Sequence, residues 1–228
     1  SSQQKLLEAL QATGKPVVLV LTTGSALAVD WAQQKLPAIV VAWYGGQRAG
    51  TGLADVLFGD ANPAGRLPVT FYKESEKLPA FDDYSMKNRT YRYFTGEPLY
   101  PFGHGLSYTK FEYSDVKIDT TSAKAGGEIK VSAKVKNTGS RAGDEAVQLY
   151  LHALDSKQVR SVKDLRGLER VTLKPGEQRT VTFTVKPDRD LTYYDVDRKQ
   201  YAVDPGRYEA QVGASSADIR LRQVFTVR

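Results

Sequence analysis

Two different patterns of hydrophobic and polar residues divide the chain. In residues 1–80, short apolar runs alternate with segments whose apolar residues recur at helical spacing. Lys15–Leu21 and Ala38–Trp43 contain apolar runs that are too short for a helix and rich in valine, as is typical of strands covered on both faces. Helices that alternate with such strands favour parallel pairing through right-handed crossovers. This part is therefore predicted to be α/β, with a thin sheet of two or three strands that looks incomplete.

End signals predict the first and third helices of this part. Ser1 or Ser2 can cap the start of a helix. This helix is predicted to end before Gly14, because glycine readily adopts the left-handed backbone that commonly follows a helix. Gly50–Phe58 is predicted to be a helix that ends at Gly59.

The sequence also predicts a second helix and a third strand in this part. Asp30 precedes WAQQKL, so we expect its carboxylate to cap a helix that Pro37 then stops. Arg66–Phe71, RLPVTF, is predicted to be the third strand.

From residue 111 onward, apolar residues recur at every second position. Glu128–Asn137 alternates strictly and is followed by a turn signal. Further strands are predicted at Ala146–Leu151, Leu165–Leu173, Thr180–Val185, Leu191–Tyr194, Gln200–Val203, Tyr208–Gly213 and Leu221–Val227. Short strands at this spacing indicate an antiparallel β-sandwich, and the absence of cysteine favours its fibronectin type III-like variant. The predicted domains are thus residues 1–80, an irregular connecting segment 81–110, and the sandwich 111–228.

The connecting segment contains two informative stretches. Its end, EPLYPFGHGLSYTKF, has prolines and glycines that exclude a regular element, yet it is too apolar for a free linker. Lys87–Phe94, KNRTYRYF, alternates basic and aromatic residues. An edge strand with its tyrosines packed inward is favoured there, and recognition of an anion or a sugar ring is the alternative.

Composition narrows the functional classes. Hydrophobic residues make up 41% of the chain and charged residues 25%, as in an ordinary globular protein. The net charge of +6 suggests nucleic-acid binding. However, Lys130, Lys134 and Lys136 alternate with apolar residues, as on the solvent-exposed face of a strand. No nucleic acid is therefore expected as a partner. No membrane is expected either, because the chain lacks an apolar run of 18 residues. The first residue is not methionine, so we expect the chain to begin inside a longer polypeptide.

Familiar catalytic and cofactor motifs are absent from the sequence. His104 and His152 fall in different predicted domains without companions, so no metal site is expected. The glycines of GGQRAGTG match neither a P-loop nor a dinucleotide fingerprint, and no cofactor is expected. Ser25 lies outside any G-x-S-x-G elbow.

Two stretches resemble a known family. Ala54–Phe71, ADVLFGDANPAGRLPVTF, resembles the latter part of the α/β-sandwich domain of family 3 glycoside hydrolases. Met86–Phe111, MKNRTYRYFTGEPLYPFGHGLSYTKF, is similar to the next segment of bacterial β-xylosidases and β-glucosidases. The resemblance implies the C-terminal part of an α/β-sandwich domain followed by a fibronectin type III-like antiparallel β-sandwich.

The resemblance also says where the reactive groups of such enzymes lie. A retaining glycosidase needs two carboxyl groups about 5 to 5.5 Å apart. In the family, a barrel carries the nucleophile and the earlier part of the α/β domain carries an acid/base glutamate, and both would precede Ser1. Asp30-Trp31 superficially resembles the nucleophile segment, but Asp30 opens a helix in the α/β part, and adjacent Asp82 and Asp83 could not straddle a sugar without special geometry. No catalytic residue is therefore assigned to this chain.

Substrate-binding candidates come from the predicted sheet. Ligands bind at the carboxyl ends of parallel strands, which here are followed by Thr22–Ser25 and Trp43–Arg48. Trp43 and Arg48 are the candidates, and Trp43 with Tyr44 would offer a stacking face. The alternative for Trp43 is buried packing.

By resemblance, the chain is part of a retaining exo-acting β-glycosidase that hydrolyses terminal β-linked glucose or xylose from oligosaccharides. Its partners would be an oligosaccharide or aryl-glycoside substrate and the missing N-terminal portion of the same enzyme, and a homo-oligomer is left open. The isolated chain is expected to be inactive, and the family suggests a periplasmic or secreted enzyme. The alternative is a noncatalytic carbohydrate-binding or structural β-sandwich module, which leaves the α/β part without a purpose.

Overall fold

The computed structural model describes residues 1–124, 126–156 and 158–228. These residues form two compact units, each built from several segments. The α/β unit comprises Ser1–Ala61, Thr70–Lys77 and Glu97–Tyr100. The sandwich unit comprises Asn62–Val69, Leu78–Gly96 and Pro101–Arg228. The proposed boundaries after residues 80 and 110 stay predictions.

The α/β unit contains one parallel strand pair and three helices. In chain order, its elements are α1 Ser2–Gln11, β1 Val18–Leu21, α2 Asp30–Lys35, β2 Ala38–Val41 and α3 Ala49–Phe58. The strands pair in register from Val18 with Ala38 to Leu21 with Val41. Their first residues are exposed and the other three are half-buried. The expectation that both faces of these strands are covered is therefore wrong within this unit.

The predicted ends of α1 and α3 are confirmed. The hydroxyl of Ser1 accepts a hydrogen bond from the Gln4 N–H at 3.2 Å, so Ser1 is the N-cap of α1. Gly14 has φ of +73° just after that helix. Gly59 caps the end of α3 at φ 86° and ψ 11°, a left-handed conformation that is strained for residues with a Cβ.

The predicted role of Asp30 is wrong. Val29 occupies the N-cap position of α2, and Asp30 is the first helical residue. The Asp30 carboxylate instead accepts a hydrogen bond from the Glu74 N–H at 3.0 Å and so ties segment 70–77 to the helix start. The predicted stop is confirmed, because α2 ends at Lys35 and Leu36 takes the extended backbone favoured before a proline.

The predicted third strand at Arg66–Phe71 is wrong. Leu67 exchanges backbone bonds with the connecting segment: its N–H donates to the His104 carbonyl at 2.8 Å, and its carbonyl accepts from Gly103 at 2.7 Å. Phe71 makes an isolated antiparallel bridge with Tyr100. Pro68 lacks an N–H in the middle of the segment, which prevents a continuous ladder.

The sandwich unit packs two sheets around one core. The five-stranded sheet has the order β4-β12-β11-β6-β7 and the three-stranded sheet the order β3-β5-β8, while β9 and β10 form a separate hairpin. The strands are β3 Phe111–Ile118, β4 Ser122–Ala123, β5 Ile129–Asn137, β6 Gly143–Ala153, β7 Asp164–Leu173, β8 Gln178–Val185, β9 Tyr193–Asp195, β10 Gln200–Ala202, β11 Gly206–Gly213 and β12 Ile219–Val227. Alternate residues of both sheets form the core, among them Ile129, Val131, Leu149, Val212 and Phe225. The predicted antiparallel sandwich is confirmed, apart from the short parallel pairing of β12 with β4.

Two details of the sandwich differ from the sequence prediction. β3 was not predicted, because the register shifts between Ser114 and Lys117 and Asp115 has φ of +53°, as at a bulge that breaks alternation. Residues Pro187–Asp190 form a single helical turn, α5, so β9 begins at Tyr193 and not at Leu191.

Tyr91, Phe102 and Gly103, which belong to the sandwich unit, cover part of the outer face of its five-stranded sheet. The Tyr91 ring stacks on Phe102 at 4.3 Å and meets Tyr150 edge-on at 5.7 Å. Gln148 Nε2 donates to the Gly103 carbonyl at 3.2 Å. This cover explains why Gln148 and Tyr150 are buried although they do not face the core.

The predicted edge strand at Lys87–Phe94 is wrong. Thr90–Tyr93 forms one helical turn, α4, and Thr90 has φ of +54°. The inward packing expected of the tyrosines is found for Tyr91. Among the described residues, no helix is long and apolar enough to cross a bilayer.

Candidate functional site

The loops after β1 and β2 meet at one edge of the parallel pair. The Ala42 N–H donates to the Leu21 carbonyl at 2.9 Å and extends the pairing to the strand ends. A Cβ added to Gly24 would lie 2.8 Å from Cε2 of Tyr44, so the Tyr44 ring packs directly on the Gly24 backbone. The two loops that were predicted to form a ligand-binding edge are therefore in contact.

Hydrogen bonds within the first loop fix its shape. The Thr23 hydroxyl is buried, donates to the Ser25 carbonyl at 2.9 Å and accepts from the Ser25 N–H at 3.2 Å. This local turn orders the backbone beside Gly24. It gives Ser25 a backbone role and no catalytic partner.

Trp43 follows β2 in a left-handed conformation, with φ of +52°. Such a backbone is strained for a bulky residue and persists only where its surroundings hold it. The Trp43 ring packs edge-on against Phe71 at 6.3 Å, and Phe71 is fully buried. Trp43 itself is half-buried, so its ring is both anchored and partly accessible. Its substrate-binding role stays a prediction.

The side chains of Arg48 and Tyr44 both reach solvent. Arg48 occupies the N-cap position of α3, and its carbonyl accepts the Gly52 N–H at 3.1 Å. Tyr44 is 75% exposed, although its ring is held over Gly24. In general, an aromatic ring can stack on a sugar, and an exposed guanidinium can donate hydrogen bonds to its hydroxyls. The role predicted for Arg48 remains a prediction.

Exposed carboxylates of the two units have partners of their own. Glu97 lies 2.6 Å from Lys73 Nζ, and this ammonium holds the pKa of Glu97 below its usual range. Asp83 accepts from the Ser85 N–H at 2.9 Å, which lowers its pKa. Both groups are thereby favoured as carboxylates and are poor proton donors at neutral pH.

The buried carboxylates are all paired with cations, as far as the structure describes the chain. Glu145 contacts Arg66 at 2.7 Å, Asp190 contacts Arg189 at 2.8 Å, and Asp195 contacts Arg198 at 3.5 Å. A catalytic acid would need a raised pKa and an unoccupied carboxyl facing a cleft. Each of these three carboxylates is instead occupied by an arginine.

Sequence reasoning missed the network around Glu145. Its second oxygen accepts a bond from the Tyr113 hydroxyl at 2.7 Å, and burial together with the Glu145 charge raises the pKa of Tyr113. Arg66 comes from segment 62–69, Tyr113 from β3 and Glu145 from β6, so these three residues join both sheets. Glu145 and Tyr113 share the period-two pattern of core positions, and that pattern alone does not reveal their pairing. Metal ligands do not cluster anywhere in the described part of the chain.

Comparison with known proteins identifies the class. The chain is 44% identical to the xylan 1,4-beta-xylosidase of Xylanibacter ruminicola, over 97% of this chain and 25% of the relative. It is 39% identical to the periplasmic beta-glucosidase of Salmonella typhimurium, over 96% of this chain and 30% of the relative. The crystal structure of a beta-glucosidase from Kluyveromyces marxianus in complex with glucose superposes with a TM-score of 0.89 and 35% identity, over 100% of this chain and 29% of that one. These similar proteins are all glycosidases.

The family follows from the matched models. Residues 1–108 match the glycosyl hydrolase family 3 C-terminal domain, and residues 145–216 match a fibronectin type III-like domain. Residues 1–108 therefore belong to glycosyl hydrolase family 3, as the motifs predicted. It spans between a quarter and a third of the length of these relatives.

Proposed function

We propose that the chain is the C-terminal part of a retaining exo-acting β-glycosidase that releases terminal β-linked glucose or xylose from oligosaccharides. We further propose that it is inactive alone. One observation carries the proposal: the buried carboxylates of the described residues are all bound to cations. The chain matches glycosidases along nearly its whole length, yet none of the buried carboxylates among its described residues is unoccupied.

The chemistry of a retaining glycosidase determines which groups each part of the enzyme must supply. One carboxylate attacks the anomeric carbon while a carboxylic acid protonates the leaving oxygen, and water then hydrolyses the glycosyl-enzyme intermediate. In this proposal both acids come from parts of the enzyme outside this chain. The chain supplies the edge formed by the loops after β1 and β2, where Trp43, Tyr44 and Arg48 contact the substrate.

The proposed location is the periplasm or the extracellular medium. It is supported by the name of one relative, the periplasmic beta-glucosidase of Salmonella typhimurium. Fractionation of the source cells, with activity measured in each fraction, tests it. Activity confined to the cytoplasm would refute this part of the proposal.

A chimaeric enzyme tests the activity. The chain replaces the matching quarter of the Xylanibacter ruminicola xylosidase, and the chimaera and the chain alone are assayed on aryl β-xylosides and aryl β-glucosides. We expect turnover by the chimaera, with the β-anomer of the sugar formed first, as seen by NMR. The chain alone should give no turnover above the buffer blank. Turnover by the chain alone, or an inactive chimaera that is folded, would contradict the proposal.

A further inference from the structure

An exposed loop of the sandwich unit is held in shape by one arginine. We call residues 78–86 the arginine-held loop. Nη2 of Arg89 donates to three of its backbone carbonyls, those of Pro79 at 3.4 Å, Ala80 at 2.7 Å and Asp83 at 3.0 Å. A guanidinium that binds three carbonyls fixes a loop much as a short strand pairing would.

Turns within the loop add to this order. The Asp83 N–H donates to the Ala80 carbonyl at 3.0 Å, and the Asp83 carboxylate accepts the Ser85 N–H at 2.9 Å. Met86 and Asn88 both have left-handed backbones, with φ of 59° and 56°. Strained residues this close together are kept where a specific loop shape is needed.

The ordered loop directs its apolar side chains into solvent. Phe81 is 98% exposed and Tyr84 is 87% exposed, and Leu78 and Met86 are also exposed. A loop that folds to fill its own interior would bury these groups. Exposed apolar residues this close together in the sequence, on an ordered backbone, favour an interaction surface.

The charges on the loop are acidic. Asp82 and Asp83 lie between the two aromatic residues in the sequence FDDY. A partner surface would therefore combine an apolar pocket with basic groups around it.

The size of the loop favours an intramolecular partner. Two aromatic side chains bury roughly 300–500 Å² together, which is well below the roughly 1,200 Å² of a stable interface between separate chains. A surface this small is effective when the partner is already tethered. The relatives that match the chain are about three to four times longer than the matched part, so each contains a large tethered region.

We propose that the arginine-held loop inserts Phe81 and Tyr84 into an apolar pocket with a basic rim on the catalytic part of the same enzyme, outside this chain. The proposal rests on the proposed function, because it takes the partner to be the part that carries the two acids. It assigns the loop a role in joining the two parts.

Hydroxyl-radical footprinting tests the proposal, since it reports the solvent exposure of single side chains. It is applied to the chain alone and to the chimaera, with Tyr201 as an exposed control and Tyr150 as a buried one. We expect Tyr84 to react like Tyr201 in the chain alone and like Tyr150 in the chimaera. Tyr84 reacting equally in both proteins would overturn the proposal. So would protection of the chain alone that grows with concentration, which indicates a second copy, or protection that appears only with added xylo-oligosaccharide.

Variants provide an independent readout. Phe81→Ser should lower the melting temperature of the chimaera and leave that of the chain alone unchanged, whereas Val159→Ser, at a site 99% exposed, should change neither. An equal loss in both proteins would indicate a structural role within the chain and overturn the proposal. Neither readout requires turnover. A chimaera in which Tyr84 is protected but which is inactive supports the role of the loop and contradicts the proposed function. An active chimaera in which Tyr84 is not protected supports the proposed function and contradicts the role of the loop.

Discussion

Glu145 shows how one buried carboxylate can determine local structure. Its side chain is 3% exposed, and its two oxygens bind Arg66 and the Tyr113 hydroxyl. Removing one partner of a buried pair leaves the other charge without compensation, which costs more than the pair itself contributes. The Arg66 guanidinium would then be buried without a counter-charge.

Substitution of Glu145 should therefore be much more damaging than substitution of its neighbour. We expect Glu145→Ala to lower the free energy of unfolding by about 3–5 kcal/mol. Asp144→Ala, which breaks an ion pair with the exposed Arg170, should cost about 1 kcal/mol or less. Urea unfolding of both variants measures the difference. Equal losses would mean that the buried pair has no special role.

Asp155 provides a pH-dependent test. Its carboxylate accepts bonds from the backbone and side chain of Arg207, which lower its pKa from 3.8 to about 2. Because the folded pKa is the lower one, the stabilisation is complete above pH 3.8 and is lost as the pH falls towards 2. The melting temperature of Asp155→Asn should thus lie below that of the wild type at pH 5 and approach it at pH 2. A constant gap across this range would contradict the assignment.

Trp43 and Trp31 form a matched pair for testing the candidate substrate edge. They are the only two tryptophans in the sequence, and Trp31 lies on α2. In the chimaera, we expect Trp43→Phe to lower kcat/KM for aryl xylosides about tenfold, or roughly 1.4 kcal/mol of transition-state stabilisation. Trp31→Phe should leave it unchanged. If Trp43→Phe also has no effect, Trp43 is a packing residue.

At the scale of elements, the end of α3 depends on one glycine. Gly59 is left-handed at φ 86°, whereas Gly50 lies within the helix and has open space around the position of a Cβ. We expect Gly59→Ala to destabilise the chain by about 1–2 kcal/mol and Gly50→Ala to stabilise it by up to about 1 kcal/mol. Thermal unfolding followed by circular dichroism distinguishes them. The same sign for both variants would show that backbone conformation is not the cause.

Elements with strong local signals could be predicted from the sequence. The strict alternation in Ile129–Asn137 gave β5, and the glycine at position 59 gave the end of α3. Local signals failed where bonding partners are distant. Residues 66–71 look like a strand, but Leu67 bonds to His104, and a bulge at Asp115 hides the alternation of β3.

The candidate site was only partly predictable for the same reason. Parallel strands and their order place the loops after β1 and β2 at one edge, which the sequence indicates. The packing of Tyr44 on Gly24 and of Trp43 on Phe71 joins residues far apart in the chain. The burial of β1 and β2 could not be predicted either, because an apolar run predicts a strand but does not show what covers it. The roles of Trp43 and Arg48 remain predictions.

For the whole molecule, the two units should differ in local stability. α1 and α3 contain no buried residue, and β1 and β2 are half-buried, whereas the sandwich core contains many residues that are fully buried. Amides with few buried contacts open at lower free energy. In hydrogen exchange of the isolated chain, we therefore expect β1 and β2 to exchange faster than β5, β6 and β11. Equal protection would show that the α/β unit is as stable as the sandwich.

The pairing of β1 and β2 has a further consequence for handling the isolated chain. Among the described residues these strands pair only with each other, so each has a free backbone edge, with valine and leucine in β1 and alanine, isoleucine and valine in β2. Free edges of this kind serve as templates for strand addition between molecules. The net charge of +6 keeps the molecules apart, and added salt screens that repulsion. Concentrated stocks should thus cloud at high ionic strength and clear on dilution into low-salt buffer.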